Sequence, residues 1–270
     1  MSPTRRTVIG GAAGLAARLT LGAGPAAAAP DAAAPASEPD MFTYMIKTLG
    51  EPADASRVSA AEASRYADRV PPALTRFWIE HGRGAYLDGM YWICDPAPFD
   101  PLLEDIFNGD PEFNPAEMTV VAYTAFGSLR VWHRQRRKVN VDLLVNQVFN
   151  PPASSWHDSK TGQPYAEDFS VANHVAIVRT QYAADETAFL KAAIAAHGRL
   201  RRGEVYGFFP ALQLGGRYRV EAVQRVKAVE HFVFLAQLSP FSLVGLTPPE
   251  PPAHPYGRTE VVRQIGPAQP

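Results

Sequence analysis

Hydrophobic and polar residues recur along this chain with the periods of helices and of strands. The patterned residues fall into two blocks. In the first block, residues 41–149, a capping pattern at Ser59–Glu62 starts one helix. Apolar side chains at helical spacing predict two more helices, one that begins at Pro71-Pro72 and one over Pro98–Phe107. Short alternating runs predict strands at Tyr86–Ile93, Met118–Tyr123, Ser128–Trp132 and Val139–Val145.

The second block, residues 171–246, has the same mixed character. Its pattern predicts a helix at Asp185–Ala196, a strand at Glu204–Leu214 and an apolar helix at Val226–Leu238. Proline and glycine predict a linker over residues 150–170, and a proline-rich composition predicts a disordered tail over residues 247–270. The predicted fold class is therefore α+β, with two small packed units of antiparallel strands and amphipathic helices.

Residues 1–40 are rich in alanine, glycine and proline and have the order of an export leader. Arg5-Arg6 resembles a twin-arginine motif, a weakly apolar stretch follows, and Ala26–Ala29 offers a small-residue cleavage site. This order predicts a periplasmic protein. Because Arg18 interrupts the apolar stretch and Met41 begins a credible globular sequence, a cytoplasmic product that starts at Met41 is the alternative.

Composition narrows the class of function. Without its first 30 residues the chain has 23 basic and 27 acidic residues, a net charge of −4, whereas nucleic-acid-binding proteins carry a basic excess. No run of about 18 apolar residues follows residue 40, so we expect no membrane-spanning helix. The one cysteine, Cys94, has no partner for an internal disulfide.

No motif in the sequence predicts catalysis, a metal or a cofactor. No two of the seven histidines have His-x-x-x-His spacing, and no glycine-rich loop ends in Lys-Ser or Lys-Thr. We expect Cys94 to be a small buried side chain, because a neighbouring carboxylate, Asp95, raises a thiol pKa. We expect Glu230 and His231 to lie on the polar side of their helix.

Two charged clusters are candidates for binding. Arg134–Lys138 lies between two predicted strands without interleaved aromatic residues, which is typical of a solvated hairpin tip, and phosphate binding is the alternative. The acidic residues Asp100, Glu104, Asp105, Asp110 and Glu112 form the second cluster. Of these, Glu104, Asp105 and Asp110 are the candidate partner-binding residues, on a face that could enter a basic cleft of another protein.

Longer runs carry a family resemblance. The first block contains Leu74-x-x-Phe77-Trp78, then Asp88-Gly89-x-Tyr91-Trp92, then Thr124-Ala125-Phe126-Gly127. These runs resemble the GAD-like domain of bacterial type VI secretion immunity proteins. The second block contains the runs Glu204–Gly216 and Val226–Leu238, which resemble the C-terminal domain of the same family.

The resemblance implies an antidote, a protein that binds a secreted DNase toxin and needs neither catalytic residues nor a cofactor. A DNase acts in the cytosol, so this implication agrees with a start at Met41, whereas an exported protein would meet a toxin with a periplasmic target. Two other hypotheses stay open. One is an exported enzyme or ligand-binding protein, and the other is a nucleic-acid-associated module that uses Arg134–Lys138. The sequence predicts no oligomeric state.

Overall fold

A nine-stranded sheet forms the centre of the protein. The computed structural model describes residues 40–247 and 258–267, so the predicted leader lies outside the described residues except for Asp40. The strands are β1 Ala53–Ser56, β2 Arg83–Tyr86, β3 Tyr91–Ile93, β4 Met118–Thr124, β5 Ser128–His133, β6 Arg137–Asp142, β7 Gln147–Phe149, β8 Glu204–Phe208, β9 Val223–Lys227, β10 Ser242–Leu246 and β11 Thr259–Gln264. The α-helices are α1 Met41–Leu49, α2 Ala60–Ser64, α3 Pro72–Glu80, α4 Asp100–Phe107, α5 Glu167–Val175, α6 Ala184–His197 and α7 Ala228–Ala236.

The strands of the large sheet follow one another in chain order from β1 to β7, and β10 and β11 extend it. All neighbours are antiparallel except β7 and β10, which are parallel. Strands β8 and β9 form a separate antiparallel ribbon. The mixed α+β class predicted from the sequence is confirmed.

Each face of the sheet carries its own core. On one face α1, α3 and α5 bury Met45, Trp78 and Val171. On the other face α4, α6, α7 and the β8–β9 ribbon bury a second cluster that includes Leu103 and Phe232. Both cores draw on residues of both predicted blocks, because one sheet continues from β7 of the first block into β10 of the second.

Several predicted elements are confirmed because their signals are local. The hydroxyl of Ser59 caps α2 by accepting the Glu62 N–H, and α3 begins at Pro72, where the missing N–H of proline costs nothing. Helix α4 buries one apolar side, and β4 and β5 form a hairpin at the positions of two predicted strands.

Other predicted elements are too long because a turn interrupts them. The predicted strand at Tyr86–Ile93 is two strands, and the intervening Leu87 and Asp88 have positive φ. The predicted strand at Val139–Val145 ends at Asp142, the predicted strand from Glu204 ends at Phe208, and the predicted helix from Val226 begins at Ala228 as the continuation of β9.

The predicted linker and tail also differ from the structure. The linker region, residues 150–170, includes the first turn of α5, which packs against α3. The tail, predicted to be disordered, contains β11, which pairs with β10 from Ser242 to Leu246. The preceding strand, β10, is the partner of this segment, and the proline content of the tail gave no sign of that pairing.

Candidate protein-binding surface

Helix α4 presents two carboxylates to solvent. Pro101 lies in its first turn, and the apolar stripe, which includes Leu102 and Ile106, is buried against the sheet. The helical period then places Glu104 and Asp105 on the outer side, where both are exposed.

Glu104 and Asp105 line a shallow cleft. Its other walls are Asn108, Gly109, Asn114 and Pro115. Within the described part of the chain neither carboxylate forms an ion pair or a hydrogen bond. Their charge is therefore available to a partner, and the asparagine amides beside them add hydrogen-bonding groups.

Asp110 lies elsewhere, and its predicted exposure is wrong. Its side chain is fully buried, and it accepts two hydrogen bonds from the guanidinium of Arg263, at 2.6 and 3.0 Å. The backbone N–H groups of Glu112, Phe113 and Gly266 donate three more. Asp110 therefore joins the loop after α4 to the end of β11 and presents no surface to a partner.

These contacts decide the charge state of Asp110. Burial alone would raise the pKa of its carboxyl group, but the hydrogen bonds from Arg263 and from the backbone outweigh burial and lower the pKa to about 2. Sequence reasoning missed Arg263 because it lies in the predicted tail. The available local signal was Asp110-Pro111, a typical start of a turn.

The remaining acidic residues of the cluster are paired. Asp100 receives two hydrogen bonds from Arg69, at 2.9 and 2.7 Å. Glu112 lies between Arg136 and Arg263, at 2.5 and 3.1 Å. The five-residue acidic cluster of the sequence is thus reduced to Glu104 and Asp105 as unpaired surface charges.

The basic run Arg134–Lys138 occupies the β5–β6 turn, but it is not a fully solvated tip. Arg137 is buried, and it donates hydrogen bonds of 2.6 Å to the Tyr165 carbonyl and the Ser170 hydroxyl. Its guanidinium also lies 4.6 Å from the centre of the Trp156 ring. Arg137 therefore fastens the turn to α5 and to the segment before it, and the charge of the run is partly engaged inside the protein.

Two further predicted residues have clear positions. Cys94 is buried, and burial raises the pKa of its thiol, so it has the inert character expected of it. His231 was expected on the polar side of its helix, but it is buried over Gly207 of β8. A Cβ at Gly207 would lie 2.6 Å from the His231 Nε2, so this position has no room for a side chain.

The described residues, 40–247 and 258–267, contain no group of three histidine, cysteine, aspartate or glutamate side chains arranged to hold a metal ion. In the same residues, no helix has both the length and the apolar character needed to cross a membrane.

Two protein-family models match this chain. Residues 40–145 match the GAD-like domain, and residues 168–239 match the C-terminal domain of the type VI secretion system immunity protein Tdi1. These two matches, in order along one chain, support membership of a type VI secretion immunity protein family. The first match contains α4 with Glu104 and Asp105, and the second contains α6, the β8–β9 ribbon and α7.

A solved structure has the same fold as this chain. It is the crystal structure of Atu4351 from Agrobacterium tumefaciens, which is 22% identical in sequence and superposes with a TM-score of 0.70. The similarity covers 84% of this chain and 99% of that one. No curated protein matches the chain.

Proposed function

We propose that this protein neutralises a secreted antibacterial toxin by forming a stoichiometric complex with it, without turnover. The observation that carries the proposal is the pair of family matches, in order along one chain, of which the second is described as a type VI secretion immunity protein. The cognate partner is a protein toxin, and we propose a DNase as its class.

The exposed side of α4 is the proposed contact with the toxin. Glu104 and Asp105 carry unpaired charge beside a cleft, and a nuclease that binds DNA needs a basic substrate groove. Carboxylates that enter this groove would compete with the phosphates of DNA. Asp110, buried and paired with Arg263, is not part of the proposed contact.

Titration calorimetry tests the proposal. The titrant is a candidate toxin sought among the products of neighbouring genes and purified as a catalytically inactive variant. We expect one-to-one binding, and we expect the double reversal Glu104→Lys, Asp105→Lys to weaken it at least tenfold, since two attractive charges become repulsive. Glu80→Lys is the matched control, because Glu80 is an exposed carboxylate at the end of α3, on the other face of the sheet.

The outcomes separate two questions. If the wild-type protein does not bind this toxin, the proposed function is wrong. If it binds and the double reversal binds equally well, the function stands and the contact lies elsewhere.

The compartment bears on the DNase class. Mass spectrometry of the native protein from fractionated cells would find its first residue. A start near Asp31 in the periplasm would contradict a partner that acts on cytosolic DNA. A start at Met41 in the cytosol would agree with it.

A further inference from the structure

The loop between β8 and β9 holds large apolar side chains in solvent. Phe209, Leu214 and Tyr218 are 40%, 58% and 43% exposed. They are three of the ten exposed large apolar residues in the described chain, and they lie within one short loop. Scattered exposed apolar residues are ordinary, but a group of them on one loop is typical of an interaction site.

The backbone of this loop, residues 209–219, is closed at its ends. The Phe209 N–H donates to the Ala222 carbonyl at 2.7 Å, and the Gly216 N–H donates to the Ala211 carbonyl at 3.0 Å. A Cβ at Gly216 would overlap the carbonyl oxygen of Pro210, so only glycine permits this close approach.

A side chain fastens the same loop to the sheet. The Gln213 amide donates to the Leu143 carbonyl at 2.5 Å and lies 2.7 Å from the Asn146 side-chain oxygen. Both acceptors belong to the β6–β7 turn, which carries another exposed apolar residue, Val145. The two loops therefore present Leu214 and Val145 from neighbouring segments.

Tyr218 is held in place although it is exposed. Its ring stacks on Phe189, with centroids 4.3 Å apart, and on Phe208, with centroids 5.2 Å apart. Partial burial and nearby carboxylates, those of Glu186 and Asp185 among them, raise its pKa to about 12, so the phenol is neutral. A fixed tyrosine loses little conformational entropy on binding, which is why such residues dominate interface energies.

The apolar surface continues onto α7. The Phe209 ring lies 5.7 Å from the buried ring of His231, which in turn lies 6.0 Å from the exposed ring of Phe234. Gly207 admits His231 beneath these rings. One buried residue thus supports two exposed aromatic side chains.

Charge at the edge of this surface indicates the chemistry of the partner. Arg217 and Arg219 flank Tyr218, both are exposed, and neither forms an ion pair within the described residues. On the α6 side, Asp185 and Glu186 would repel a continuous line of phosphates. Exposed apolar residues with arginine and tyrosine, bordered by both signs of charge, match a protein surface better than a nucleic acid.

We infer that the 209–219 loop is a second contact with the toxin, and that it binds a toxin surface whose apolar centre is bordered by carboxylates opposite Arg217 and Arg219. This inference rests on the proposed function. It adds a contact in the C-terminal part of the chain, separate from the acidic side of α4.

Binding to the inactive toxin tests the loop directly. We expect Leu214→Ser to weaken binding at least tenfold by faster dissociation. We expect Arg217→Glu with Arg219→Glu to weaken it at least tenfold and to slow association most at low salt. Val261→Ser and Arg179→Glu are matched controls, since these residues are exposed outside the loop, and we expect both to bind as the wild type does.

Each outcome decides the inference. Normal binding by both loop variants would overturn it while the proposed function stands. Failure of the wild-type protein to bind would overturn both. Binding to a 20-base-pair DNA duplex is measured by fluorescence anisotropy. If the loop variants still bind the toxin but no longer bind the duplex, the loop binds nucleic acid and the inference is wrong.

Discussion

Asp110 gives the sharpest test of the structure, because one buried carboxylate joins segments that are far apart in sequence. We consider Asp110→Asn, which keeps the shape of the side chain and removes its charge. The change weakens both hydrogen bonds from Arg263 and places an amide N–H₂ against backbone donors at Glu112, Phe113 or Gly266. We expect lower global stability and a loosened β11.

The size of the effect follows from the pKa of the carboxyl group. Its pKa falls from 3.8 to about 2 on folding, and one pKa unit corresponds to about 1.4 kcal/mol. The ionised form therefore contributes about 2.5 kcal/mol near neutral pH. Arg263 keeps its contact with Glu112, so we expect a loss of about 2–3 kcal/mol, near the lower end for a broken buried ion pair.

The same pKa predicts a pH dependence with a definite sign. A carboxyl group whose pKa is lowered by folding contributes fully above its unfolded pKa, and the contribution is lost as pH falls through the folded pKa. The wild type should therefore lose this stability between about pH 4 and pH 2, as expected for a pKa shifted from 3.8 to about 2. Asp110→Asn should lack this part of the pH dependence.

Urea unfolding monitored by fluorescence measures the free energy of unfolding, and hydrogen exchange measures the opening of β11. The matched control is Glu104→Gln, since Glu104 is a solvent-exposed carboxylate on the preceding helix. We expect the control to differ from the wild type by under about 0.5 kcal/mol. The reasoning is refuted if Asp110→Asn is equally mild and leaves exchange at Thr259–Gln264 unchanged.

Three further predictions concern the interior. Gly207→Ala should destabilise the protein by about 1–3 kcal/mol in urea unfolding, because its Cβ would overlap His231, and pairing it with His231→Ala should recover part of the loss. Cys94 should react with a thiol reagent only after unfolding, because burial raises its pKa, and fast labelling of the native protein would contradict this. Burial raises the pKa of Asp142 to about 6, so the stability that its protonated form contributes should be lost as pH rises through about 6. Asp142→Asn should flatten that part of a plot of unfolding free energy against pH.

Local sequence patterns determined much of the secondary structure. The apolar stripes of α3, α4 and α6 and the β4–β5 hairpin are set by neighbours within a few positions, so their periodicity was visible in the sequence. Glu104 and Asp105 were placed outward for the same reason, since the helical period that buries Leu102 and Ile106 leaves them on the other side.

Only the tertiary structure decided which charges and rings are available. The residues next to Asp110 in sequence are those of an ordinary surface acid. Its burial depends on Arg263, which is 153 residues further along the chain. His231 is buried because β8 supplies a glycine beneath it. Arg137 is buried because α5 and the segment before it supply its acceptors. Burial of a polar group requires a specific partner in space, and hydrophobic periodicity carries no record of a partner that is distant in sequence.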